Sequence, residues 1–317
     1  MTRFSKRGDQ LELEFREMAS GLRFPEGPIA LSDGSVLLVE IERQTLSRVL
    51  ANGTVEVVCS IEGGPNGAAV GPDGAVYVCN NGGFNWIRRN DRLVPGTQPS
   101  DFSGGKIQRV DIRSGSLETL YTSCSGHDLR GPNDIVFDSQ GGFWFTDLGK
   151  TRDRGRDYGG LFYATIDGHL IEEKIFPITG GGNGVGLSPK GEHVYVSETS
   201  SGRLFGWPLE SHGSILSGMT AGFRNLIYTP NDYISFDSLA VEENGNICVA
   251  TIGPGQITII SPDGKTNERI TIGNDPVTTN ICFGGPDMQT AYITLSSTGR
   301  LISCRWPRPG LRLQFEL

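Results

Sequence analysis

The chain has 317 residues, a net charge of −8 and 45 glycines. The acidic balance argues against nucleic-acid binding, which needs a basic stripe to neutralise phosphates, and no run approaches the roughly 18 apolar residues of a membrane span. Glycine at about twice its usual ~7% points to an all-β, turn-rich chain with little helix, read as one domain over 1–317.

Met1 to Gln10 is polar and lacks the apolar segment of a secretory signal, so a cytoplasmic location is expected. Leu11 to Phe15 follows as a candidate outer strand. Leu311 to Phe315 competes for the same role, and the N-terminal segment is favoured to complete the last repeat. Glu26 then opens a pattern that recurs six times. A polar residue is followed seven and eight positions later by a turn pair and then a β-rich run, at Glu26, Asn66, Asn133, Asn183, Asp237 and Asn280. The turn pairs are Asp33-Gly34, Asp73-Gly74, Gln140-Gly141, Lys190-Gly191, Asn244-Gly245 and a degenerate Asp287-Met288.

Strands are predicted after each turn, over 36–39, 76–78, 143–145, 194–196, 247–249 and 291–293. Third strands follow over 45–49, 106–110, 161–164, 203–207 and 256–260. Asp-Gly and Asn-Gly between short apolar runs predict type I′ hairpin turns. The recurring positions lie 40 to 67 residues apart, the spacing of one four-stranded blade with loops of variable length, and six repeats predict a six-bladed β-propeller of antiparallel blades around a central channel.

In such a ring the six polar side chains meet at the axis. One Glu, one Asp and several Asn make a set of oxygens that suits a hard cation. Calcium fits best, because it accepts amide oxygens beside carboxylates, and zinc would be expected to recruit His or Cys. The four histidines show no zinc spacing and the six cysteines no C-x-x-C pair, so each cysteine reads as a small buried hydrophobe. No G-x-S-x-G elbow is present. Any single Asn at a strand start is at least as well explained by ordinary turn hydrogen bonding. Glu26 is a poor turn former, Asp237 interrupts an otherwise apolar strand entry in Ser235-Phe236-Asp237-Ser238-Leu239, and repetition at one register favours a shared site.

The segments Phe24-Pro25-Glu26-Gly27-Pro28, Gly131-Pro132-Asn133-Asp134, Gly182-Asn183-Gly184-Val185-Gly186-Leu187-Ser188-Pro189, Val194 to Thr199 and Phe236-Asp237-Ser238 resemble the gluconolactonase and senescence-marker-protein (regucalcin) family of six-bladed propellers, over essentially the whole chain. The resemblance implies a lactonase with one catalytic divalent metal held by Glu26, Asn183 and Asp237. Asn133 is implied as a further ligand or a substrate contact. Calcium is the favoured ion, with zinc, manganese and magnesium as alternatives. In the implied mechanism the ion polarises the lactone carbonyl, and Asp237 acts as base or as nucleophile. Arg130, three residues before Asn133, stands near where family members often carry an arginine and is a candidate substrate clamp. Asn66 is carried as substrate-binding, while Asn280 is left among metal, substrate and backbone.

The segment 81–105 lengthens the second repeat and is a candidate lid, with Trp86 or Phe84 over a lactone larger or less polar than a sugar lactone. The competing reading is an aromatic plug on the rim. Two other functions stay open: organophosphate or other ester hydrolysis on the same scaffold, and a non-enzymatic binding propeller. The partner expected is a small lactone, and the sequence leaves the oligomeric state open.

Overall fold

Apolar alternation that is buried on both faces dictates the framework. In Val36–Glu40 all five residues are buried; Leu37 and Val39 face one neighbouring sheet, while Val36 and Leu38 face the other. A strand covered on both faces needs a sheet on each side. The computed structural model, which describes residues 13–220 and 225–317, satisfies this with six antiparallel blades arranged as a six-bladed β-propeller, each of four strands except the fourth blade, which adds the two-residue strand Ser214–Ile215. No α-helix occurs among the described residues, and no helix there is long and apolar enough to cross a membrane.

From the axis outward, blade one consists of Pro25–Ala30, Val36–Glu40, Thr45–Val49 and Val55–Ser60. The inner strands of the next five blades are Pro65–Val70, Pro132–Phe137, Gly182–Leu187, Ser235–Val241 and Thr278–Gly284. These six pack side by side in order, and the sixth returns to the first. Six apolar clusters fill the six gaps between blades. The core is therefore a set of radial layers rather than one centre.

Blade six closes the ring with a strand from the other end of the chain, as Phe15–Ala19 pairs with Arg300–Arg305. The N-terminal choice made on sequence holds, but the strand begins where 11–15 was expected to end, and Leu11 and Glu12 lie outside the described residues. The competing segment, 311–315, lines the lower part of the channel instead. Leu311 packs on the layer between blades four and five. Phe315 packs on the layers beside blade two and sits 5.8 Å edge-on from Phe137.

The turns differ from the predicted type I′. In each repeat the residue at the glycine position bonds back three residues, as Gly34 N does to Leu31 O at 3.0 Å, and it has positive φ, +81° at Gly34, while the two central residues of the turn do not. That is a three-residue loop, a type I turn closed by one left-handed residue, for which an Asp-Gly pair is equally suited. The sixth repeat makes the same turn with Met288 at φ +55°, a conformation that costs a non-glycine residue energy. A two-residue turn with both φ positive does occur, at Asn90 and Asp91 in the inserted hairpin Trp86–Arg89/Arg92–Pro95.

Every inner strand also carries a one-residue irregularity at its upper end, between Glu26 and Ile29 in blade one and at the equivalent place in the other five. Such bulges re-aim side chains at the rims of closed sheets. Immediately after the recurring polar residue, three repeats have glycine, because the next blade's inner strand arrives there. A Cβ on Gly67 would sit 2.4 Å from the Asn133 carbonyl oxygen and 2.6 Å from the Asp134 Cα. Gly67→Ala is therefore expected to destabilise the protein by roughly 1–3 kcal/mol or more through overpacking. A thermal melt checks this, and an unchanged melting temperature would remove the close-approach explanation.

Candidate active site

All six recurring polar residues stand at the upper ends of inner strands, where the bulges turn them toward the axis. Five are buried: Glu26, Asn66, Asn133, Asn183 and Asn280. Asp237 alone keeps part of its surface open. The structure thus brings Glu26, Asn133, Asn183 and Asp237 to one place, together with Asn66 and Asn280.

The contacts inside the ring are unequal. Asn280 Nδ2 donates to Glu26 Oε2 at 2.8 Å, and Gly27 N donates to the same oxygen at 2.9 Å. Asn280 also receives the Ile281 N–H on its Oδ1 at 2.8 Å, so this amide holds Glu26 and its own backbone. Asn183 Nδ2 donates to Thr199 Oγ1 at 3.0 Å, leaving its Oδ1 with only a 3.5 Å contact from the Ser238 hydroxyl. Asn133 Oδ1 is buried with no hydrogen-bond partner, an expensive arrangement unless something else supplies a positive partner.

A seventh residue, missed in the sequence reading, belongs to the cluster. Asp134 occupies the place where Gly27, Gly67 and Gly184 stand in other repeats, and it is 7% exposed. Its Oδ1 accepts from Ile135 N at 3.0 Å and its Oδ2 from Val185 N at 3.2 Å, tying blade three to blade four. Burial, reinforced by the Glu26 charge, pushes its carboxyl up to about 7. Burial also raises Glu26, against the hydrogen bonds from Asn280, Thr279 and Gly27. Asp237 is raised well above the usual range, first by burial and then by the charges of Glu26 and Asp134, against the hydrogen bond to Asn183. Three carboxylates thus oppose one another, and no ion pair among the described residues offsets them.

This donor set fits a divalent cation that takes oxygen ligands. Among the described residues, no three His, Cys, Asp or Glu side chains are placed to hold a metal by themselves, so amide oxygens have to take part. The ring offers them at Asn133 and Asn183, without His or Cys, the chemistry of a hard ion.

The loops leading into the inner strands are fixed from behind by residues ending the second strands. Arg23 N donates to Glu40 Oε2 at 2.7 Å and Gly64 N to Asn80 Oδ1 at 2.8 Å. Arg130 N and Gly131 N donate to Asp147 at 2.8 and 2.7 Å, and Gly180 N donates to Glu198 Oε1 at 2.6 Å. Their signal in the sequence was a buried-strand run ending on an acid or amide. The Arg130 side chain is committed elsewhere: its Nε donates to Asp157 Oδ2 at 3.1 Å and its guanidinium lies 5.1 Å from the Phe102 ring centroid.

The 81–105 insertion spans much of the upper rim. Trp86 packs 5.2 Å from Phe24, two residues before Glu26, Leu93 N donates to Ser297 O in blade six at 2.9 Å, and Gln98 N to Thr151 O in blade three at 2.8 Å. Trp86 is half-buried in this cluster with Phe24, Ile41, Leu93 and Phe84, so it is packed on the rim as well as placed above it.

Residues 24–297 match the model of the SMP-30/gluconolactonase/LRE-like family. The chain belongs to this family. It is 25% identical to the gluconolactonase of Zymomonas mobilis over an alignment covering 93% of this chain and 83% of that one. With lactonase drp35 of Staphylococcus aureus it shares 27% identity over 84% of this chain and 71% of the other. The solved structure of the calcium-binding protein regucalcin from Agrobacterium tumefaciens superposes with a TM-score of 0.72 at 17% identity, covering 95% of this chain and 98% of that one, a likeness of fold. Within this SMP-30/gluconolactonase/LRE-like chain, the matched region begins at Phe24 and so takes in all six ring residues.

Proposed function

We propose that this chain hydrolyses the ester bond of a lactone at a divalent cation held by Glu26, Asn133, Asn183 and Asp237. The observation that carries the reading is the pairing of mutually opposed buried carboxylates with the unpartnered Asn133 oxygen, in a chain whose relatives include a gluconolactonase and a lactonase. Calcium is the ion we favour, on the oxygen-only donor set and on the calcium-binding regucalcin of the same fold.

When bound, such an ion supplies Lewis acidity to a carbonyl oxygen. The chain's residues do the rest. Asp237, partly open to the mouth, is the carboxylate we assign to accept the proton of the attacking water. Asn183 orients it through the hydrogen bond that opposes its upward shift. Glu26 and Asn280 form a fixed pair behind it. We assign Asn133 as a ligand on its unpartnered Oδ1, with Asn66 beside it, since the backbone carbonyls of Asn66 and Asn133 lie against Gly27 and Gly67 of the preceding blades. Trp86 and Phe84 bound the substrate from the insertion side, so the reading favours lactones with apolar substituents. The Arg130 contacts with Asp157 and Phe102 speak against a substrate clamp.

The test is hydrolysis of sugar and aliphatic lactones by metal-stripped protein, with calcium, zinc, manganese or magnesium added back one at a time. Turnover is expected to vanish on stripping and return with calcium. Turnover that survives stripping, or cation binding with no turnover of any lactone, would abandon the reading; cleavage of a phosphotriester in its place would select the ester-hydrolase alternative.

A further inference from the structure

Lys150 is 1% exposed and has no role in the cluster described above. Its Nζ donates to Gly83 O at 2.6 Å and to Asn81 Oδ1 at 3.3 Å. The ammonium lies 4.0 Å from the Phe84 ring centroid and 5.5 Å from that of Phe102. Asn81 Oδ1 also accepts from Gly83 N at 2.8 Å, so lysine, amide and backbone lock one another. The residues that hold the lysine all belong to the insertion, whose outgoing arm carries Asn81, Gly83 and Phe84 and whose return arm carries Phe102. The lysine itself comes from blade three, just beyond Phe143–Asp147.

A buried ammonium is costly. Burial draws Lys150 down to about 7, against the pull of Asp147 and Asp157 and with Arg130 opposing it. A methionine would fill the same space without that cost, so packing alone does not account for a lysine. What a lysine adds is a donor for a backbone carbonyl and a charge between two aromatic faces, the elements of a cation–π cage. The cage sits at the root of a segment that crosses the rim to blades one and six. There it is held by the Leu93 N–Ser297 O bond and by Trp86 and Leu93 packing on Phe24 and Ile41, and at the surface by Arg92 Nη2 donating to Asn274 O at 2.9 Å and the Arg88–Glu42 pair at 2.6 Å, both exposed and weak; the lysine cage is the one charged, buried anchor among these.

We propose that Lys150 is the positioning residue that seats the 81–105 insertion over the mouth of the channel, and that it thereby sets the size of lactone the site admits. The second half rests on the lactonase reading; the first does not. Hydrogen exchange of the full chain, without substrate, separates them. In Lys150→Met, amides of 82–98 are expected to exchange about tenfold faster or more, with the inner strands of the six blades unchanged. The Michaelis constant for lactones bearing large apolar substituents is expected to rise several-fold, with kcat for the smallest lactone kept within about twofold. Wild-type exchange across the insertion in Lys150→Met overturns the seating role. Faster exchange with an unaltered size preference overturns the selection role alone. Faster exchange in Lys150→Met, with no lactone turned over by the unaltered protein either, leaves the seating standing and removes the lactonase reading. Should Lys150→Met fail to fold, Lys150→Gln, which keeps a donor for the Gly83 carbonyl but no charge over the Phe84 ring, carries the same comparison. Protection equal to wild type in Lys150→Gln would then overturn the cage.

Discussion

Asp237→Asn is expected to lower lactone turnover by about 10²–10⁴-fold, the usual contribution of a positioned base, and at the same time to raise the melting temperature of the metal-free protein. The two effects have one cause. Asp237 is held among Glu26 and Asp134, and burial with their charges disfavours its ionised form. An amide of the same shape removes the repulsion, accepts the same neighbours and leaves nothing to take a proton. A residue kept for structure would behave in the opposite way, since losing it would cost stability. Steady-state kinetics on the calcium-loaded protein and a melt of the stripped protein are sufficient. A variant that is both less active and less stable would mean that Asp237 holds the strand ends together rather than serving the reaction.

The metal-free protein is also expected to lose stability as pH rises from about 4 to about 7, and a divalent cation is expected to restore it. Asp134 is raised to about 7 from its ordinary 3.8, and Glu26 and Asp237 are raised in the same direction. Between those values the unfolded chain has released the Asp134 proton while the folded chain still holds it, and the upward shifts of Glu26 and Asp237 act in the same sense. Folding therefore takes up protons, and each increment of pH favours the unfolded state. Below about 4 the order changes, because Asp157, lowered to about 2 by Arg152 and Arg130, contributes stability that is lost as it is protonated. A cation competes with protons for the same oxygens, so added calcium should raise the melting temperature strongly at pH 7–8 and little at pH 4–5. A melting temperature that climbs steadily from pH 4 to 8 without responding to calcium would contradict the cluster's assignment as a cation site.

Much of this was readable before any coordinates. Two-sided burial of strands such as Val36–Glu40 leaves a continuous apolar run, and the turn pair before it repeats at fixed spacing; both are local signals. Glu26 stands out because glutamate is a poor turn former, and Asp237 because it interrupts an otherwise apolar strand entry. What escaped was set between blades. Asp134 follows Asn133 in the sequence, but its meaning comes from Val185 in the next blade, whose N–H it accepts. The bulges that aim the ring inward depend on pairing register, which a single strand does not reveal. The reach of the insertion was equally illegible, since Ser297 and Thr151 are distant in sequence from the hairpin they hold. The turn type was misjudged because Asp-Gly suits both a two-residue and a three-residue hairpin, and loop length decides between them.

The seam in blade six has a consequence for how the protein is made. Phe15–Ala19 leaves the ribosome before the other strands of the six blades, whereas Arg300–Arg305, the only strand it pairs with among the described residues, leaves after all of them. At ~5–20 residues per second the early strand waits on the order of 15–60 s with its edge unsatisfied. Its composition suits the wait: Arg16 and Glu17 are charged and exposed, which discourages pairing with other nascent chains. The ring is sealed only once residues 300–305 have been made, so a nascent chain exposed beyond Asn267–Thr271 but short of residue 300 would display five finished blades and an open gap.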